Sequence, residues 1–326
     1  MNKKTFILVL GCSIVAIIGL IVAICAGAKS IPLQTVWDSI FHYEDVLDMQ
    51  LVRDVRIPRA ISTAFVGGLL GITGAMMQGV TRNPVAEPSL MGITQGATFA
   101  IALLGMSSSL YGLLGNTLAA FVGAIISGLL VLAFSMKSAR NMNMSRLLLA
   151  GTALSTFFIS MATVIALLTN KSQSLAFWIT GGFRPVTWNS VMLLLIVGGM
   201  TTIIALFLAP KINIVNLGED VCIGLGENPV KIRMITLLLI IPMCAVCVAV
   251  AGNIAFVGLI VPHIIRKLLG TDYRVIMPVS FLGGAMLVIW ADVLARLVNQ
   301  PYETPIGLFT SLVGVPLFIW MVRKES

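Results

Sequence analysis

The chain has 326 residues, 58% of them hydrophobic and only 10% charged, and its mean hydropathy is +1.02. These values lie far outside the range of soluble domains and exclude a water-soluble core. The net charge of +8 would suggest nucleic acid in a soluble protein, but the basic residues are spread over loop ends rather than gathered on one face, so no nucleic-acid partner is expected.

A helix needs about 20 apolar residues to cross a hydrocarbon layer of about 30 Å. About ten stretches qualify, at roughly 5 to 27, 60 to 80, 89 to 107, 111 to 135, 147 to 169, 190 to 209, 234 to 251, 253 to 269, 276 to 295 and 305 to 322. The expected fold class is therefore all-α, a polytopic membrane protein with about ten transmembrane helices in a single domain over 1–326. The first stretch resembles a secretory leader because Lys3 and Lys4 precede it and small residues end it, but its apolar run exceeds the about 7 to 15 residues of a leader core, so it reads as a retained helix. The third, with Ser89, Thr94, Gln95 and Thr98, and the eighth, which opens after Ala251-Gly252-Asn253, are the weakest and read as broken or re-entrant.

With the N-terminus cytoplasmic, the outer connections hold only Lys29, Arg53, Arg56, Arg59, Lys171, Arg184 and Arg296, and all other basic residues fall inside. The bias places both termini in the cytoplasm. The cluster at 53 to 59 runs against it and calls for an explanation.

Cys244 and Cys247 form a C-x-x-C pair inside an apolar span with no neighbouring histidine, and His42 and His263 have no second ligand at metal spacing. No metal, cofactor or catalytic residue is expected. Glu87, Asp292 and Glu303 all lie near span ends, which argues against an ion-coupled carrier with a midplane carboxylate. The dipeptide Gly-Lys occurs nowhere, so the chain has no Walker loop, and any ATP chemistry must come from another subunit. Glycines recur at three- and four-residue intervals over 67 to 74, as close helix packing requires.

Three stretches are distinctive. The first is Arg56-Ile57-Pro58-Arg59, followed by a Gly-rich span and Gln78-Gly79-Val80-Thr81-Arg82-Asn83-Pro84-Val85-Ala86-Glu87-Pro88. The second runs from Leu217-Gly218-Glu219-Asp220 to Leu225-Gly226-Glu227-Asn228-Pro229. The third is Gly252-Asn253-Ile254-Ala255-Phe256-Val257-Gly258 through Pro262-His263, with Ala291-Asp292 to Arg296 after it. Together they resemble the permease subunits of bacterial ABC importers for iron-siderophore complexes, haem and vitamin B12, in order and spacing over nearly the whole chain.

The resemblance implies a bacterial inner-membrane permease that pairs with a second, identical or homologous, permease subunit. It also implies two cytosolic ATPase subunits and an extracytoplasmic substrate-binding protein. Arg56, Arg59 and Arg296 match positions that receive acidic residues of the binding protein, and their spacing around Pro58 would let Arg56 and Arg59 point outward from a helix start. The alternative reading is arginines that anchor helix ends to lipid headgroups, which is favoured for Arg53. The cytosolic connection 210–233 matches the ATPase-coupling loop, with Leu217, Gly218, Glu219, Asp220, Leu225 and Gly226 at its knob. Asn83 and Val85, with Met142, Asn143, Met144 and Ser145, match the inner gate loops. An inverted repeat is expected between spans two to five and seven to ten. The expected cargo is a ferric siderophore, then haem, then cobalamin, with an ion-coupled secondary transporter as the rival class.

Overall fold

In the computed structural model, residues 3–27, 29–106, 113–138, 141–142, 144–183, 185–300 and 302–325 are described. The helices are α1 Lys3–Cys25, α2 Leu33–Phe41, α3 Leu47–Leu51, α4 Ile57–Thr81, α5 Ile93–Leu104, α6 Leu113–Ser135, α7 Met144–Leu168, α8 Ser172–Thr180, α9 Trp188–Leu193, α10 Gly199–Leu217, α11 Glu219–Gly224, α12 Pro229–Ala251, α13 Val257–Leu269, α14 Tyr273–Leu297 and α15 Ile306–Glu325. A short antiparallel ribbon pairs Met136–Ser138 (β1) with Asn141–Met142 (β2).

Among the described residues, seven helical segments are long and apolar enough to cross a membrane. Two of them join several pieces. The segment Leu47–Thr81 runs 35 residues through a π-helical turn at Val52–Arg56, and Trp188–Leu217 runs 30 residues through another at Leu194–Gly198. Pro58 has no N–H to donate, and the chain opens one wider turn in front of it, where Ile57 N bonds Val52 O. The helix therefore starts well before the proline, and Arg56 lies within it rather than at an open helix start. The weak third and eighth stretches are short here: α5 has 12 residues and α13 has 13. A break in the α-helix precedes each, at 82–92, which holds one 3₁₀ turn at Pro88–Met91, and at 252–256.

The centre is built by α4, α12 and α14, whose spans are mostly buried, while α1, α7 and α10 lie at the periphery. What draws helices together in lipid is close backbone contact, because lipid tails are as apolar as leucine. Glycines supply that contact. A Cβ on Gly71 would collide with the carbonyl of Ser280, one on Gly67 with that of Gly284, and one on Gly74 with that of Gly258. The same device joins α5 to α6 at Gly96, whose Cβ would strike Ser127. Around this frame packs one large apolar cluster that includes Leu69, Ile72, Met76, Leu237, Met243 and Val288.

Gly71→Ala and Gly74→Ala should each force α4 away from its neighbours and cost about 1–3 kcal/mol of stability. Gly11→Ala on α1, where nothing lies within 4 Å, should leave the melting midpoint of the detergent-solubilised protein unchanged. Equal midpoints for all three variants would refute the packing role.

Candidate functional site: two charged clusters at opposite ends of α4

The first cluster surrounds the start of α4. A helix leaves its last four carbonyls without intrahelical donors. At the end of α1 these carbonyls are met by two arginines. Arg56 Nη1 donates to Ile24 O at 2.7 Å and Cys25 O at 2.8 Å, and its Nη2 donates to Lys29 O. Arg296 Nη1 donates to Ala23 O and Ala26 O, both at 3.0 Å. Cationic groups at a helix C-terminus also sit at the negative end of its dipole.

Arg59 takes a different partner set. Its Nε and Nη2 reach Asp292 Oδ1 at 3.2 and 2.9 Å, and its Nη1 and Nη2 reach Glu303 at 2.6 and 3.1 Å. Asp292 is fully buried and also pairs with Arg296 at 2.9 Å. Arg59 is 12% exposed and Glu303 is 50% exposed, so Glu303 is the solvent-side member of the cluster.

The three arginines singled out in the sequence thus converge, but they do not stand free. Arg56 is buried and Arg59 is turned onto Asp292 and Glu303, so the expectation that these two guanidinium groups point outward from a helix start is corrected; Arg296 is buried as well. The cause is the end of α1, whose carbonyls need donors more than the surface needs charge. Arg53 lies over the Tyr43 ring at 4.8 Å, a cation–π contact outside the cluster.

The second cluster lies at the other end of α4. Here α10 continues through Pro210 to Leu217, because one missing N–H costs a single helical bond, so the polar connection is shorter than the expected 210–233. Gly218 at φ 130° and Gly226 at φ 77° bracket a knob that contains α11, and these backbone angles favour glycine. Leu217, Ile223 and Leu225 are exposed at 64%, 61% and 60%, with Glu219 and Asp220 exposed beside them. Cys222 turns the other way, into a small cluster with Val215 and Ile232, and that burial raises its thiol pKa.

Arg233 on α12 joins this knob to α4. Its Nη1 reaches Glu219 Oε1 at 2.5 Å and its Nε donates to Val80 O at 3.1 Å. Nearby, Asn213 Nδ2 donates to Asp272 Oδ1 at 2.7 Å, while Tyr273 N donates to Asn213 Oδ1 at 2.7 Å. The Asn213 amide holds the Asp272 carboxyl below its ordinary range.

After α4 the backbone turns at Arg82, in the left-handed region at φ 53°, and Asn83 Oδ1 accepts from Val85 N at 3.0 Å. Met142 ends β2, Met144 opens α7 and Ser145 is exposed, whereas Asn143 lies outside the described residues. Two residues escaped the sequence reading as a pair. Glu87 Oε1 accepts from Phe256 N at 2.9 Å, where Phe256, at φ 68°, caps α13. A lone acid beside the unwound Gly252-Asn253 segment was the available signal.

These elements define an all-helical, multi-pass membrane protein whose charged clusters lie at opposite ends of one central helix. The chain belongs to the FecCD transport family, which it matches over residues 15–324. It is 42% identical to the iron(3+)-hydroxamate import system permease protein FhuB of Bacillus subtilis, covering 94% of this chain and 80% of the relative. It is 36% identical to the Fe(3+) dicitrate permease protein FecC of Escherichia coli, over 85% and 84% of the two chains. With the hemin permease protein HmuU of Yersinia pestis it shares 32% identity, over 92% and 90%. A metal-chelate type ABC transporter solved in an inward-facing conformation superposes with a TM-score of 0.84 at 27% identity, covering 97% of this chain and 98% of that one.

Asp292→Ala leaves the buried Arg296 guanidinium without its carboxylate and Arg59 with Glu303 alone, and should cost about 3–5 kcal/mol. Glu303→Gln removes an exposed partner and should cost about 0–1 kcal/mol. Thermal unfolding in lipid nanodiscs separates the two, and a Glu303 variant as unstable as the Asp292 variant would contradict the asymmetry.

Proposed function

We propose that the chain is the membrane permease subunit of an ATP-driven, binding-protein-dependent importer in a bacterial inner membrane, and that it carries a ferric siderophore. The supporting observation is the 42% identity to a ferric-hydroxamate permease across 94% of the chain. The 32% identity to a hemin permease keeps haem as the second reading. No step of this function is enzymatic in the chain itself, and ATP hydrolysis belongs to a separate pair of cytosolic subunits. Both termini are cytoplasmic in this reading, so the arginine cluster is outer and the knob inner.

The knob suits an ATPase partner because exposed Leu217, Ile223 and Leu225 are costly in water unless a partner covers them. Asn83 and Val85, with Met142, Asn143, Met144 and Ser145, form the proposed inner gate. The tight turn that ends α4 at Arg82 and Asn83 supports that role. Apolar faces left open on α7 and α15, with Phe157, Val164, Leu168, Leu308 and Leu312, suit a second permease subunit beside lipid.

An inverted repeat relates α4 to α7 with α12 to α15. Under that equivalence the packing of α4 on α14 maps onto that of α12 on α6, and both packings occur. Breaks in the α-helix before both α5 and α13 support the same equivalence. Superposing the two four-helix units should align most of their residues, and failure of α5 to fall on α13 would reject the repeat.

In a strain lacking this chain, reintroducing it should restore uptake of radiolabelled iron supplied as a ferric hydroxamate. Restoration of hemin uptake alone would replace the cargo assignment, and undiminished uptake without the chain would reject the function.

Docking of the binding protein centres on Arg59, because Glu303 is the one member of its cluster that solvent reaches freely. An incoming carboxylate would take the place of Glu303. Glu303→Gln should therefore tighten docking about twofold to fivefold at low ionic strength, with the gain fading as salt is added. Unchanged affinity at low salt would remove Arg59 from the docking surface.

A further inference from the structure

Val80 is the next-to-last residue of α4, so its carbonyl lies past the last regular intrahelical bond and lacks the helical N–H donor four residues on. The N–H four residues on would belong to Pro84, which has none, and the following N–H, from Val85, is taken by Asn83 Oδ1 at 3.0 Å. Arg233 Nε fills that vacancy from α12 at 3.1 Å. The other side of the same guanidinium holds Glu219 Oε1 at 2.5 Å, on the first residue of α11. Arg233 is 6% exposed, whereas the Glu219 side chain is 54% exposed on the knob. One planar, rigid group thus ties the surface knob to the last turn of the central helix.

The end of α4 has little room to absorb a displacement by itself. A Cβ on Gly79 would lie 2.5 Å from Ile212 of α10 and 2.9 Å from Tyr273 of α14. Two residues beyond Val80, the chain enters the turn at Arg82 and Asn83. A shift of α11 relative to α4 must either break a charge-assisted bond next to a buried carbonyl or carry the end of α4 along.

We infer that Arg233 is a positioning residue for coupling: through its paired bonds to Glu219 and Val80 O, movement of the knob is transmitted to the inner end of α4 and to the 82–85 turn that follows. The inference rests on the knob being the ATPase-contacting element, as proposed above. The guanidinium does not touch cargo or nucleotide. Its contribution lies in holding two helix ends as one unit.

The test uses the complete importer, permease with its ATPase and binding protein, reconstituted in vesicles. Three quantities are read: ATPase retained on the permease, ATP hydrolysed, and cargo taken up per ATP. Arg233→Gln should retain the ATPase and keep hydrolysing ATP while uptake per ATP falls about tenfold or more, the scale of an ordinary coupling free energy. Glu219→Gln, at an exposed position that cannot prevent folding, should lower uptake per ATP in the same direction. The charge-reversed pair Glu219→Arg with Arg233→Glu should not recover coupling, because a carboxylate at 233 cannot donate to Val80 O. Recovery by the reversed pair would reduce the contact to an ordinary ion pair and overturn the proposal. So would wild-type uptake per ATP in Arg233→Gln, or loss of the bound ATPase in that variant, which would make Arg233 part of the docking surface. Deleting Leu217 to Pro229 checks the underlying reading separately. If the ATPase stays bound without the knob, that reading fails and the strut fails with it.

Discussion

A helix end that meets lipid instead of water has no solvent to satisfy its free carbonyls or N–H groups. This one constraint explains where three buried arginines of the chain lie. Arg56 and Arg296 occupy the carbonyls at the end of α1. Arg233 occupies Val80 O at the end of α4. At helix starts the partly buried Glu87 accepts from Phe256 N before α13, and the exposed Asp272 accepts from Arg274 N before α14. In each case a cation sits at a C-terminus and a carboxylate at an N-terminus, the sign that the helix dipole favours.

Glycine contacts decide which parts can move. The α4–α14 seam at Gly67, Gly71, Ser280 and Gly284 leaves no space for a methyl group, so the central helices behave as a rigid frame. The pliable places are the breaks in α-helix at 82–92 and 252–256 and the glycine-bracketed knob. Alternating access needs motion at such places and rigidity between them. The Glu219–Arg233–Val80 chain joins a pliable element to the frame at the point where the next pliable element begins.

Much of this was legible in the sequence. Span length and hydropathy placed the long helices, and polar residues at Ser89, Thr94 and Asn253 marked the third and eighth stretches as irregular, which matches the short α5 and α13. The knob was legible from Gly218 and Gly226, whose positive φ values need glycine. Its lower boundary was not, because Pro210 reads as a helix stop, yet α10 continues to Leu217 with Ile212 and Val215 buried along it. Arg56 and Arg59 were found by their placement against the charge bias and Arg296 by the family resemblance, but their direction was not. The acceptors are carbonyls of α1 and Asp292, which lies 233 positions from Arg59, and no local pattern brings these together. Arg233 carried one signal that was available, namely Pro84 four residues after Val80.

The most direct test of helix ends tied by charge is a pair of spin labels at Arg82 and Val221, both exposed, in a permease with its five cysteines replaced. Distances would be measured by pulsed electron paramagnetic resonance in the reconstituted importer, without nucleotide and with ATP trapped. A rigid link predicts that the 82–221 distance stays constant between the two states while each label moves relative to a third on α6 at Leu118. A change in the 82–221 distance as large as the movement relative to Leu118 would contradict it.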